Sequence, residues 1–218
     1  LMLLVGSAFI LVAIFAMYVE AGARTFDMAV LGSHPYSRDL QLWAFPFLWL
    51  GFGSLGGVFP FHTWSPDGHA SAPTAVSMLH AGVLMKLGAF GVMRVGMVML
   101  PEGAQVWAPW VGGVAVINVV YGALSAMSQK DLKYIIAYSS VSHMGIVMLG
   151  AATLTPNGWN GAIYQMFAHG IMTGLFFALV GLVYERAHSR HVPSMGGFAK
   201  TMPAVAVFFT LAAQRNPE

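Results

Sequence analysis

Six stretches of this chain are long and apolar enough to cross a lipid bilayer, and nothing else in the sequence narrows its fold as much. They cover residues 1–19, 40–61, 72–100, 107–127, 134–154 and 159–184, and a partial seventh starts at Pro203. A spanning helix needs about 20 such residues. Strands of a membrane barrel would show instead as ten-residue segments of alternating character, and none is present. Lipid cannot hydrogen-bond to a backbone, so each span must satisfy its own peptide groups as a helix. The expected fold is all-α: a polytopic transmembrane helix bundle with six full spans.

Composition supports the same solvent. Only 8% of the 218 residues are charged and 57% are hydrophobic, whereas a soluble domain carries about 25% charged residues. The net charge of +2 is too small to point to nucleic acid. There is no cysteine, so disulfides, iron–sulfur clusters and thiol chemistry have no place here. Electrons, if any move in the complete system, move in a partner. The first apolar run has no basic leader and no small-residue cleavage site, so it does not read as a signal peptide. At the other end "PAVAVFFTLAA" begins a helix that "QRNPE" cuts short. The expectation is an internal piece of a longer membrane protein, residues 1–218 forming one fragment of a membrane domain.

With alternating spans, Lys130, Lys133, Arg186, Arg190 and Lys200 fall on one side, and Arg24, Arg38 and Arg94 on the other. The basic excess places the first side in the cytoplasm. The second span is unusual, with Gly51, Gly53, Gly56 and Gly57 followed by Pro60. Such residues weaken a helix interior. Two readings stand side by side: a helix broken next to an ion path, or close helix packing through small residues. A break predicts non-helical backbone between Gly51 and Pro60.

The third span holds the main functional signal, "SMLHAGVLMKLGAFGVM". Lys86 stands roughly 20 Å from either end at a rise of 1.5 Å per residue, too far for its stem to reach water. The insertion cost is about 2.5–3.5 kcal/mol. No Asp or Glu lies inside any other complete span to pair with it. Unlike arginine, lysine can release its proton, so a lysine in this place suits proton handling. His80, six residues earlier, either shares that wet path or packs elsewhere. Ser139 and His143 follow at i, i+4 on the fifth span, and Gln165, His169 and Thr173 at i, i+4, i+8 on the sixth. These polar stripes on apolar helices read as a proton relay through His143 and His169, against the plainer alternative of interhelical hydrogen bonds. "HTWSPDGH", with His62, Asp67 and His69, reads as a Pro-rich turn rather than a metal site.

The segments "FPFHTWSPDGHASAPT", "AGVLMKLGAFGVMR", "QKDLKYIIAYSSVSHMG", "QMFAHG" and "YERAHSR" together resemble the NuoM family. These are antiporter-like, proton-pumping membrane subunits of bacterial respiratory complex I (NADH:quinone oxidoreductase). The resemblance covers about residues 1–213, with the motifs in the family's order. It implies the antiporter-like (Mrp-type) fold of fourteen helices in two inverted repeats. This chain then corresponds to the sixth through the start of the twelfth helix, and its second span to the family's discontinuous seventh.

The resemblance further implies that Lys86 is the central lysine of the hydrophilic axis, and that His143 and His169 line that axis, with His80 as a possible addition. The implied function is proton translocation coupled to electron transfer in partner subunits. This chain then carries no redox chemistry. NADH, FMN, iron–sulfur clusters and quinone belong to the partners, and the other membrane-arm subunits, neighbouring antiporter-like chains among them, surround it in the bacterial inner (plasma) membrane. Two departures stand out. Leu55 occupies the position, seven residues before His62, where the family usually has a lysine, and His80 is unusual for NuoM. The alternatives are a stand-alone Mrp-type cation/proton antiporter subunit and a structural paralogue that no longer pumps.

Overall fold

The structure is a computed structural model that describes residues 1–213; "QRNPE" lies outside the described residues. Helices follow one another as α1 (Met2–Glu20), α2 (Met28–Ser33), α3 (Arg38–Gly56) and α4 (Trp64–Ser71). Then come α5 (Thr74–Met97), α6 (Pro101–Ser128), α7 (Leu132–Ala152) and α8 (Pro156–Ala187). The short α9 (Phe198–Thr201) and α10 (Pro203–Ala213) complete the order. Helices α1, α5, α6, α7 and α8 are long and apolar enough to cross a membrane. The sixth expected crossing is the interrupted one, α3 followed by α4.

The interruption lies where the glycines and proline place it. Helix α3 stops at Gly56, and Gly57 takes the left-handed conformation at φ 70°, which glycine adopts without a side-chain clash. The freed polar groups find partners outside the helix. The Trp64 indole N–H donates to the Ser54 carbonyl at 2.8 Å. The Phe59 N–H donates to Asn118 Oδ1 at 2.8 Å, and Asn118 Nδ2 donates to the Val141 carbonyl at 2.9 Å. A single fully buried asparagine on α6 thus ties the break to α7. Asn118→Leu leaves the part-buried Phe59 N–H without its partner, at about 1–3 kcal/mol, and removes the tie to the Val141 carbonyl, which keeps its own helical bond within α7. The expected outcome is less assembled protein and a lower melting temperature in detergent; an unchanged melting temperature would contradict the clamp.

The glycine-rich span contains both a break and close helix packing, at different residues. Gly57 makes the break. Gly51 lies against α1, where an added β-carbon would sit 2.6 Å from the Gly6 carbonyl oxygen. Gly56 lies against α5, where an added β-carbon would sit 3.7 Å from the Met85 carbonyl oxygen and the Ala89 nitrogen. Close approach through small residues recurs along the bundle, as expected where lipid gives no hydrophobic drive between helices.

Two expectations need correction, and one short helix is new. "HTWSPDGH" is not a turn throughout: from Trp64 it is helix α4. Pro66 falls within the first turn of α4, where its missing N–H has no intrahelical partner to lose. The stretch between the first two spans contains the short helix α2, capped by Asp27, whose carboxylate accepts from the Ala29 N–H at 2.8 Å. Lys133, counted above as a loop cation, is 5% exposed. Its Nζ donates to the Ala72 carbonyl at 2.6 Å, while Arg190 Nη1 donates to the Ala70 carbonyl at 2.9 Å. Two cations therefore close the C-terminal end of α4, where the carbonyls lack helical partners and the helix dipole is negative. Asp131 holds Arg190 there at 3.3 Å.

Candidate functional site around Lys86

Helix α5 departs from α-geometry on both sides of Lys86. Residues His80–Leu84 and Val92–Met97 are π-helical, and Met85–Gly91 between them is α-helical. Wide turns of this kind are rare and frequent at functional sites. Lys86 is 9% exposed, and its Nζ donates to the Ala81 carbonyl, back along its own helix.

Two helix crossings set what surrounds this lysine. On one side α5 meets the end of α3: a β-carbon on Gly88 would run into the Gly56 N and Phe52 O atoms, and one on Gly57 would lie 2.8 Å from Met85 Cε. The helix break and Lys86 are thus in one layer. On the other side α5 crosses α8 at Gly82 and Gly170. A β-carbon on Gly170 would lie 2.8 Å from the Gly82 carbonyl oxygen and 3.9 Å from Lys86 Cε. That crossing carries the lysine stem to the residue next to His169.

His169 is 1% exposed, and its ring stacks on that of His143 with centroids 4.8 Å apart. Gln165 Nε2 lies 2.8 Å from His143 Nδ1; with the amide donating, the neutral His143 ring carries its proton on Nε2. Thr173 donates to the His169 carbonyl at 2.6 Å. The structure therefore brings Lys86, His169, His143 and Gln165 into one run across α5, α8 and α7. His80 turns the other way, toward α4. Its ring stacks on Trp64 at 4.9 Å and lies 4.4 Å from the ring of His69.

Leu55 sits half-buried in the last turn of α3, just ahead of the break. His62 and His69 are 2% and 0% exposed, and neither ring has a hydrogen-bond partner among the described residues. Sequence reasoning missed His69, Asn118 and the buried role of Lys133. The signal for Asn118 was in view: a lone amide inside "GGVAVINVVYGAL".

A family profile described as NADH:quinone oxidoreductase/Mrp antiporter, transmembrane, matches residues 1–216. The chain belongs to this family. The resemblance read from the motifs is borne out by its relatives. It is 43% identical over 211 residues to NAD(P)H-quinone oxidoreductase chain 4 1 of Picosynechococcus sp., covering 97% of this chain and 40% of that one. It is 44% identical over 212 residues to chain 4 2 of Microcystis aeruginosa, covering 97% and 38%. The chain thus spans about two-fifths of the length of these curated relatives. Among solved structures, respiratory complex I from Thermus thermophilus with bound NADH contains a similar chain. The TM-score is 0.90 and the identity 31%, over 97% of this chain and 46% of that one. The Mrp complex from Dietzia sp. shares the fold at TM-score 0.86 and 24% identity, over 97% and 39%. The antiporter-like fold expected from the motifs is therefore the fold of this family member, seen here in part.

Proposed function

We propose that this chain works as the proton-translocating part of a membrane subunit of an NADH:quinone oxidoreductase, driven by electron transfer in partner subunits. The observation that carries the reading is the buried Lys86, set between a helix break and the stacked pair His169–His143. Lysine and neutral histidine both gain and lose a proton, so a run of them across three helices offers successive places for one proton. The broken helix beside it supports the same role, because irregular backbone at membrane depth is tolerated where it faces protein or water.

In this reading Lys86, His169 and His143 lie on the proton path. The redox groups (NADH, FMN, iron–sulfur clusters and quinone) are held by partner subunits, among them neighbours of this chain in a membrane arm. The end bearing Lys130 faces the cytoplasm of a bacterium. Leu55 favours a second reading, a structural paralogue that assembles but does not pump, since the family's usual lysine is absent there.

The test is isolation of the complete protein, tagged, from its own membrane. Flavin and iron–sulfur subunits should come with it, and the preparation should oxidise NADH with quinone. Recovery without any redox subunit would overturn the reading in favour of a stand-alone cation/proton antiporter. NADH oxidation in sealed vesicles with normal assembly, but no change in pumping when Lys86 is altered, would favour the paralogue.

A further inference from the structure

We propose that Asp131, Lys133 and Arg190 are positioning residues. Together they form a clasp that fixes α4 and the first turn of α5, the helix bearing Lys86, to α7 and to the segment leading into α10. This rests on the reading of Lys86 given above.

Helix α4 needs such a hold. It has 8 residues, and helices shorter than about 12–15 residues are marginal on their own. The break at Gly57 separates it from α3. Its last carbonyls lack helical partners, and these are the points by which it is held. Lys133 Nζ donates to the Ala72 carbonyl and Arg190 Nη1 to the Ala70 carbonyl. Both bonds are charge-assisted, roughly twice as strong as neutral ones.

The two cations come from separate parts of the chain, and Asp131 links them. Its Oδ1 caps α7 by accepting the Lys133 N–H at 2.8 Å, and its Oδ2 lies 3.3 Å from Arg190 Nε. Arg190 thus serves the carboxylate and the Ala70 carbonyl with different nitrogens, which a guanidinium fork allows and one compact ammonium does not. Backbone bonds set the same stretches side by side. The Leu132 N–H donates to the Arg190 carbonyl at 3.0 Å and the Val192 N–H to the Lys130 carbonyl at 2.8 Å, around the antiparallel bridge of Asp131 with His191. Beyond Val192 the chain continues into α9 and α10. The half-helix after the break and the helix that follows α8 therefore share one anchor.

From α4 the hold passes to α5 by direct contacts. Ser77 Oγ donates to the His69 carbonyl at 2.9 Å, which joins the first turn of α5 to α4. Thr74 packs on α8, where a β-carbon on Gly181 would lie 2.7 Å from Thr74 Cγ2. Lys86 follows on the same helix, and its own bond returns to Ala81. Its place in the bundle therefore depends on where that first turn is held.

The test separates positioning from a purely structural role. In the complete assembled complex, Arg190→Ala and Arg190→Lys should both assemble and oxidise NADH. Acidification of sealed inverted vesicles per NADH should fall about tenfold or more, since a misplacement of about 1 Å by a remote mutation can cost about a hundredfold. Lysine should not rescue, because its single ammonium cannot hold Asp131 and the Ala70 carbonyl at once. Less complex on native gels with wild-type acidification per NADH in what assembles, or full rescue by lysine, would overturn the clasp. If Arg190→Ala fails to assemble, Asp131→Asn decides by the same criteria, since it keeps the cap on α7 and removes the charge facing Arg190.

A disulfide reads whether the clasp stays shut. The chain has no cysteine, so Lys130→Cys with Val192→Cys introduces one pair. Opposed residues of an antiparallel pair have Cα atoms about 4.5–5.5 Å apart, within disulfide reach. The crosslink should form and leave pumping at wild-type level. Failure to form, or pumping that falls on oxidation and returns on reduction, would overturn a clasp that stays closed. Wild-type pumping in Arg190→Ala alongside loss of pumping in Lys86→Arg would overturn the clasp and leave Lys86 in place. Wild-type pumping in both would overturn the reading of Lys86 itself.

Discussion

Replacing Lys86 with arginine should abolish most proton pumping in an assembled complex, although the charge is kept. Guanidinium does not give up its proton in a protein, so a group that must be emptied and refilled stops working. Lys86→Ala should pump as poorly, with the complex intact. Removing a buried charge relieves a desolvation cost of about 2.5–3.5 kcal/mol, and no carboxylate within hydrogen-bond reach is left behind, since the recorded partner of Nζ is the Ala81 carbonyl. For both variants the expected fall is about tenfold or more in acidification of sealed vesicles per NADH oxidised. The structural alternative reverses the order. If Lys86 only held helices together, arginine would largely preserve pumping and alanine would reduce the amount of complex, because breaking a buried polar pair is costly. Assembly is read on native gels before any pumping rate is compared. Wild-type pumping in Lys86→Arg would remove Lys86 from the path.

The parts of this site that were legible in the sequence share one property: they contrast with their surroundings. A lysine in the middle of "VLMKLGAF" and a proline after four glycines are local breaks in an apolar pattern. Local breaks locate both the buried charge and the end of a helix. The parts that were not legible depend on which helices meet. His69 lies in a stretch with Pro66, Asp67 and Gly68, whose composition is that of a turn, and only packing against α5, α7 and α8 makes it helix. Lys133 looks like a loop cation until the C-terminal end of α4 is placed beneath it. The π-helical runs flanking Lys86 leave no mark on hydropathy, because they widen a helix without changing which residues are apolar. His80 shows the same limit from the other direction. Its position six residues before Lys86 was plain, but its ring belongs with Trp64 and His69 on the α4 side, which spacing along one helix cannot reveal.

The glycine at position 88 should tolerate no side chain. It lies two residues beyond Lys86, where α5 crosses the last turn of α3, and a β-carbon there would overlap the Gly56 amide nitrogen and approach Gly56 Cα to 2.8 Å. These are backbone atoms, so no rotamer change can make room. The two helices must separate, and the segment that moves is the one that ends at the Gly57 break. Overpacking of this kind costs roughly 1–3 kcal/mol, occasionally more. Valine adds two further methyl groups to the clash and has a stiff side chain. Gly88→Ala should therefore lower the amount of assembled complex, and Gly88→Val should nearly eliminate it. Gly113 supplies the comparison. It is exposed on α6 with no heavy atom within 4 Å of its β-carbon position, so Gly113→Ala should leave assembly unchanged or raise it slightly, by the roughly 0.5–1 kcal/mol that alanine gains over glycine in a helix. Where Gly88→Ala does assemble, the distance between α3 and α5 has grown at the level of Lys86, and pumping should fall more than NADH oxidation does, because the displaced layer holds the lysine and not the redox groups. Equal yields for Gly88→Val and wild type on native gels would show that α3 and α5 do not meet at this glycine, and the placement of Lys86 beside the break would fail with it.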